Sequence, residues 1–370
     1  MREHGFEVIT MSADGKEVFD ITKDGTHHIV VPFTRRITPL HDIKCLRQLV
    51  REIKKLRPDI VHTHTPKAGL LGMIASWWCR VPVRLHTVAG LPLMEASGFR
   101  RVVLNATERI TYACAHIVYP NSFGLKTFIE EHFSIPPPKL KILGRGSSNG
   151  IDTIFFERSQ ALEIQARQLR SEHRIGEDDI VFSFVGRIVR DKGIVEFVKA
   201  FQAITEDQSF MDKLSGKRLF LLLAGQFEED LDPLPVSVLQ FLRNDKQVIL
   251  AGFQSDIRPW IMASNVFVFP SYREGFPNVV MQASLLNVPC IVSDINGCNE
   301  IVKDGSTGVV VPSKNYEMLA RAMKLMINDE FKRKTFAAAA RSFVAENFKR
   351  ELIWEELRSE YEKRLKAREF

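Results

Sequence analysis

Short apolar runs alternate with longer stretches whose apolar positions return every three or four residues, and this alternation persists over almost the whole chain. The short runs are strand-sized and rich in Val, Ile and Phe. The longer stretches have helical period, so the pattern is that of parallel βαβ units. The first half predicts strands at Glu7–Met11, His28–Pro32, Asp59–His64, Val83–Val88, Ile117–Pro120 and Leu140–Leu143. A second series follows at Ile180–Gly186, Leu219–Gly225, Val248–Ala251, Val266–Pro270, Pro289–Ser293 and Gly308–Val311. No short repeat interrupts them, which argues against a solenoid or propeller.

The two series predict two α/β domains, each a doubly wound sheet, over residues 1–150 and 151–345, with the turn-rich run Gly144–Gly150 at the boundary. Residues 346–370 read as a charged helix with Phe348, Leu352, Ile353, Leu357 and Tyr361 on one face. Such a face needs an apolar surface, and the helix is expected to cover one domain or cross back to complete the first. At the other end, Met1–Gly5 reads as the close of a helix. A doubly wound sheet opens one strand and one helix earlier, with a glycine-rich turn between them, so the natural protein is expected to start about 20–25 residues before Met1.

At 370 residues the chain suits two cores rather than one. Its composition, 45% hydrophobic and 26% charged, is that of a globular protein, and no apolar run is long enough to span a bilayer. No secretory leader is legible at Met1. The five cysteines show no CxxC spacing, which argues against a disulfide framework or zinc site and for a reducing cytoplasm. The net charge of +6 is compatible with nucleic acid, anionic lipid or phosphorylated substrates. Part of it lies on an amphipathic helix over Asp42–Arg57, which either docks on a sheet or turns its basic face to anionic headgroups.

Ligands of open α/β sheets bind beyond the carboxyl ends of strands. The segment Ser271–Gln282 follows one such strand. Glu274 stands at the sheet edge, Gly275 permits a tight turn, and Pro277 suits the first position of a helix whose amides near Asn278, Val279 and Val280 form an anion site. Gln282 lies within reach of a sugar hydroxyl on the same ligand. Gly186–Gly193 is a second strand–loop–helix segment, in which Arg187 and Lys192 can converge on a diphosphate, without Walker spacing. A third, His62–Gly69, has Thr65 as N-cap, Pro66 at the first helical position and Lys67 beside a positive helix end. His62 and His64 share a strand face but lack the further ligands of a metal site. His86 on the next strand reads either as catalytic or as structural.

Together these segments resemble family 4 of the glycosyltransferases, which have the GT-B fold: two Rossmann-like domains facing a cleft. The residues that carry the resemblance are Gly186–Gly193, Ser148–Asp152, Glu274–Gln282 and Asp294–Val302, in that family's order and spacing. His64–Gly72 and His86–Pro92 resemble the bacterial enzymes that build capsule, O-antigen or other glycans on undecaprenyl diphosphate. The resemblance implies a UDP-sugar donor on the second domain, held by Arg187, Lys192 and Glu274 with Gly186, Asn149, Gly275, Phe276, Pro277, Asn278, Val279, Gln282 and Glu300. His64, Lys67 and Gly69 would face a lipid-linked saccharide acceptor on the first. It implies anomeric retention, no metal and no other cofactor.

Two positions depart from the family: Gln282 replaces a glutamate, and Ala89 replaces a histidine, which leaves His86 as the candidate for that role. The expected partners are a nucleotide sugar, a lipid-linked saccharide and an anionic membrane surface, not nucleic acid. The expected place is the inner face of the cytoplasmic membrane, with Arg35, Arg36, Lys44, Arg51, Trp77, Trp78, Phe99, Arg100 and Arg101 as contacts. Two rival readings stand beside this one: a UDP-sugar 2-epimerase-like isomerase of the same fold, and an inactive sugar-nucleotide-binding protein.

Overall fold

Every strand pairing among the described residues is parallel, as the alternation of strand and helix requires. The computed structural model describes all residues except 16, 35–37, 215, 229–231 and 368–370. In chain order its elements begin with β1 (Ile9–Ser12), α1 (Val18–Thr22), β2 (His27–Val30), α2 (Pro39–Leu56), β3 (Ile60–His64), α3 (Pro66–Trp78), β4 (Val83–Val88), α4 (Gly98–Cys114), β5 (Ile117–Pro120) and α5 (Phe123–His132). They continue with α6 (Gln160–Glu172), β6 (Ile180–Val185), α7 (Ile194–Thr205), α8 (Gln208–Met211), β7 (Leu219–Ala224), α9 (Val236–Asn244), β8 (Val248–Gly252), α10 (Arg258–Met262), β9 (Val266–Phe269) and α11 (Asn278–Leu285). The last are β10 (Cys290–Ser293), α12 (Cys298–Ile301), β11 (Gly308–Val311), α13 (Tyr316–Asn328), α14 (Glu330–Asn347) and α15 (Arg350–Lys366). The chain divides into one unit of Met1–Ser148 with Ile353–Phe370 and a second of Asn149–Leu352.

In the second unit one sheet runs β11-β10-β9-β6-β7-β8. The order reverses between β6 and β9, so the crevice at which doubly wound sheets bind ligands lies beyond the carboxyl ends of these two strands. β6 and β7 are buried at every position, as a sheet covered on both faces demands. A single apolar cluster extends from Ile151 to Phe348 through all six strands.

The first unit is less uniform. Its strands form two sheets, β1-β2 and β3-β4-β5, and its core is divided among three smaller clusters. α15 packs Leu357, Tyr361 and Leu365 against Val83, Leu85, Ile117 and Tyr119. The buried carboxylate of Glu360 fixes its register by accepting from Tyr119 at 3.1 Å and pairing with Lys141.

Three expectations from the sequence are corrected. Leu140–Leu143 makes only an isolated bridge between Leu140 and Val118, because the proline run before it forms a 3-10 turn and leaves one residue to pair. Met1–Gly5 holds a 3-10 turn over Arg2–His4 rather than α-helical conformation. The terminal helix is broken at Phe348, whose ring enters the second unit's core 5.1 Å from Phe276. There Ile151 bonds the backbone on either side of Lys349, accepting from Arg350 at 3.0 Å and donating to Phe348 at 2.8 Å. Leu352 is accordingly half exposed, not part of the buried face.

Candidate active site

The second unit's site is built by loops that meet at the β6/β9 crevice. After β6 the chain passes Gly186 and Arg187, buries Ile188 and Val189, and makes a 3-10 turn over Arg190–Lys192. Gly193 closes that turn at φ 72°, and a Cβ there would lie 1.9 Å from the carbonyl oxygen of Pro270. Only glycine lets the loop after β6 rest on the end of β9. Tyr272 then donates its amide to the Asp191 carbonyl at 2.9 Å, and Arg273 pairs with the Asp191 carboxylate at 3.0 Å. The result is a fixed meeting of Lys192 and Glu274, ion-paired, each about one-sixth exposed. Ser271 donates to the same Glu274 oxygen at 2.9 Å. From the next strand, Gly297 at φ 72° brings its loop so close that a Cβ would lie 2.5 Å from the Gly275 carbonyl.

Arg187 is 2.8 Å from Glu228 and 43% exposed. An exposed pair of this kind is worth about 1 kcal/mol or less, so Arg187 can exchange Glu228 for a stronger anion. Gln282, on the second turn of α11, and Glu300, on α12, are partly exposed, and Asn149 is exposed at the start of the unit.

Other residues move in role. Pro277 is the N-cap of α11 rather than its first residue, and the Val280 amide bonds back to the Pro277 carbonyl at 3.2 Å. That leaves Asn278 and Val279 as the first-turn amides which no helix start can satisfy internally. Phe276 is a core side chain at 8% exposure, so only its backbone can face a ligand. Sequence reasoning missed Asp191, Ser271 and Glu228. Asp191 lay inside the motif, but nothing in the spacing showed that it holds Arg273.

In the first unit the candidates sit on β3, α3 and β4. Thr65 occupies the N-cap position of α3 at φ 66°, without a capping side-chain bond. Lys67 is not an open cation: its Nζ lies 2.8 Å from Asp42, 2.9 Å from Thr34 and 3.3 Å from Thr38. Burial raises the Asp42 carboxyl, but hydrogen bonds from Lys67 and Thr38 outweigh this and hold it below the usual range. His86 is interior to β4 at 2% exposure, not at the sheet edge, with Nδ1 2.8 Å from Thr63. Burial, assisted by nearby His64, lowers its pKa to about 3, so the ring is neutral. Gly69 makes room for that ring, since a Cβ there would lie 2.4 Å from His86 Cε1. His62 has both ring nitrogens engaged, by Tyr361 and Thr87 at 2.7 Å each, and His64 stacks on it at 4.5 Å. Of the first-unit candidates, His64 and Thr65 are exposed, where β3 passes into α3.

Comparison with known proteins adds to this geometry. Residues 165–343 match the model of glycosyl transferases group 1, and residues 1–146 that of the glycosyl transferase 4-like domain. The chain is 35% identical, over all of its length and 93% of the relative's, to a capsular polysaccharide biosynthesis glycosyltransferase of Staphylococcus aureus. It is 28% identical, over 88% of the chain and 81% of the relative, to the UDP-Gal:alpha-D-GlcNAc-diphosphoundecaprenol alpha-1,3-galactosyltransferase of Escherichia coli. Among solved structures, Anabaena HepE in complex with UDP-glucose superposes with a TM-score of 0.77 at 20% identity, over 96% of this chain and 91% of that one.

Proposed function

The chain belongs to family 4 of the glycosyltransferases, with the GT-B fold, and on that premise we propose that it moves a hexose or N-acetylhexosamine from a UDP-sugar to an undecaprenyl-diphosphate-linked saccharide in surface polysaccharide synthesis, with retention. The observation that carries the donor half is the Lys192–Glu274 pair held at the switch point of a doubly wound sheet. Lys192 has three N–H donors and spends one on Glu274, which leaves two for a diphosphate. Arg187 exchanges Glu228 for the same group, and the α11 amides add their dipole. These charges stabilise UDP as it leaves, while Glu274 keeps its second oxygen for a sugar hydroxyl. The leaving phosphate takes the acceptor's proton on the face it vacates. A divalent ion is not required by this arrangement.

The diphosphoundecaprenol acceptor of the Escherichia coli relative supports the lipid-linked acceptor, and the capsular role of the Staphylococcus aureus relative supports surface polysaccharide synthesis. Membrane attachment belongs to the same reading, in a narrower form than the sequence suggested. Helices between parallel strands begin at the carboxyl edge of the sheet and end at the amino edge. Trp77 and Trp78 close α3 at the amino edge, whereas Phe99, Arg100, Arg101 and Val102 open α4 and Leu40 and Lys44 open α2 at the carboxyl edge. One flat surface cannot meet both, so the carboxyl-edge group is the proposed contact; Phe99 is 81% and Leu40 82% exposed. Arg51 sits near the amino-edge end of α2, and Arg35 and Arg36 lie outside the described residues.

The test is a product assay with UDP-, GDP- and ADP-sugars, polyprenyl-diphosphate N-acetylglucosamine and excess EDTA. UDP release with an α-linked product supports the reading. Preference for another nucleotide, a β-linked product or loss of turnover in EDTA would each overturn the corresponding part.

A further inference from the structure

Buried polar atoms left without a partner cost stability, and folds tolerate them where a ligand supplies the bond. Among the described residues such side-chain atoms include Asn121 Oδ1, Asp191 Oδ1 and Ser313 Oγ. All three stand on loops beyond the carboxyl ends of strands, namely β5, β6 and β11, where doubly wound sheets meet ligands. Asp191 belongs to the donor-side loop already described. Asn121 is in the first unit and has no role so far.

Asn121 follows directly on β5 and is 4% exposed. Its backbone is fully used: the amide donates to Val88 at 3.1 Å, and the carbonyl accepts from Ser147 at 2.7 Å. These bonds clamp the residue across the ends of β4 and β5. The usual structural task of an asparagine in this place, capping the helix that follows, is done by its neighbour, since Ser122 Oγ accepts the Leu125 amide at 3.1 Å. The backbone is thus fixed in position, and Oδ1 is buried with no hydrogen-bond partner among the described residues.

We propose that Asn121 reads the acceptor saccharide, its Oδ1 accepting from one ring hydroxyl and its NH2 donating to the next. An amide offers an acceptor beside two donors, which matches adjacent hydroxyls of a neutral sugar and not a phosphate, whose oxygens only accept. Rotation about the terminal torsion exchanges the two ends, so either hydroxyl order is met. The assignment rests on the reading that the first unit takes the acceptor.

The experiment compares wild type with Asn121→Ala in three measurements, with Asn121→Ser as the substitute should the alanine variant not fold. The first is the melting temperature, expected to stay within about 2 °C of wild type because no internal bond is lost. The second is slow release of UDP from the donor in water without acceptor, expected to be unchanged. The third is transfer to polyprenyl-diphosphate N-acetylglucosamine, whose KM should rise about 5–20-fold with kcat changed far less. A melting temperature lower by more than about 5 °C shows the amide to be bonded internally and overturns the proposal. So does a fall in donor hydrolysis, which would place Asn121 on the donor, or an acceptor KM that does not move. If wild type itself hydrolyses the donor but transfers to no lipid-linked saccharide, the acceptor reading fails, and this assignment with it.

Discussion

Two lysines set the halves of the molecule apart. Lys192 and Lys67 each lie near the start of a helix that follows a parallel strand, each about one-fifth exposed and each bonded to a carboxylate. Lys67 is enclosed by Asp42, Thr34 and Thr38, which fill all three of its donor positions. Lys192 meets one carboxylate, at a crevice where the strand order reverses. The first is therefore a clamp between α3 and the start of α2, and the second is a partly committed cation with capacity for a ligand. A basic residue at a strand end is a site only when the fold leaves some of its hydrogen bonds unmade.

The same contrast runs through the interiors. The second unit has one apolar core around a sheet whose inner strands β6, β7, β9 and β10 are buried at every position. The first divides its core, leaves β1 only half buried, and encloses His86, Glu108 and Thr111. If the comparison holds, removing either partner at the second unit's crevice should have the largest effect. Lys192→Ala and Glu274→Ala are each expected to lower kcat about 100–1,000-fold, or about 3–4 kcal/mol of transition-state stabilisation, with the fold retained. The double variant should cost little more than either single one, because the two act as a unit. Near-wild-type turnover in either single variant would remove the donor assignment. Lys67→Ala should instead lower the melting temperature first and activity second.

Glycine substitutions sharpen the comparison at somewhat smaller scale. Gly193→Ala forces a Cβ against the Pro270 carbonyl at a positive φ, so about 3 kcal/mol or more of the second unit's stability should be lost. Gly69→Ala in the first unit meets only the ring of His86, within a helix that favours alanine, and should cost about 1–2 kcal/mol. Denaturant unfolding of the two variants gives the order, and a reversed order would show that backbone contact at Gly193 yields more easily than a pinned ring.

How far these features were legible follows from the same division. In the second unit the strand series, and the place of Arg187, Lys192 and Glu274 on loops after strands, could be read because apolar runs and glycine turns are local signals. What could not be read was partnership: Glu228 on Arg187 and Asp191 on Arg273 join loops 41 and 82 residues apart. In the first unit long-range partners decide nearly everything. Asp42 takes Lys67, Thr63 and Gly69 enclose His86, and Tyr361 reaches His62 from 299 residues away. Asn121 had no motif at all; its signal is a bond that the fold fails to make.

Membrane contact should separate the units again, since its proposed residues all lie in the first. Phe99→Ser with Arg100→Ser and Arg101→Ser is expected to abolish flotation with anionic liposomes at low salt, each arginine contributing about 1 kcal/mol. Trp77→Ser with Trp78→Ser should leave flotation unchanged, being at the other edge. Equal loss in both would mean that the two edges do not face different surroundings, and flotation indifferent to salt would assign the contact to apolar residues alone.

The smallest effect expected comes from the first unit's polar interior, and its sign is fixed by pH. Burial raises the Glu108 carboxyl to about 7, against an opposing pull from Tyr112, whose hydroxyl is near but finds no hydrogen-bond partner among the described residues. A carboxyl raised from its ordinary value of 4.5 binds more protons folded than unfolded between those two values. Stability is therefore full below the lower value and declines as pH rises toward 7, after which the loss is complete. Glu108→Gln removes the ionisation and keeps the shape. It should raise stability by about 1–2 kcal/mol at pH 8, and the gain should vanish below about pH 4.5. His86 works in the other direction: its neutral ring loses stability as pH falls below 6.5 toward 3, but it does so equally in both proteins and cancels from the difference. Melting temperatures of the two proteins across pH 4–8 give the curve directly. A gain independent of pH would show that the Glu108 carboxyl titrates alike in the folded and unfolded chain, and a loss at pH 8 would mean that its carboxylate has a cationic partner in solution.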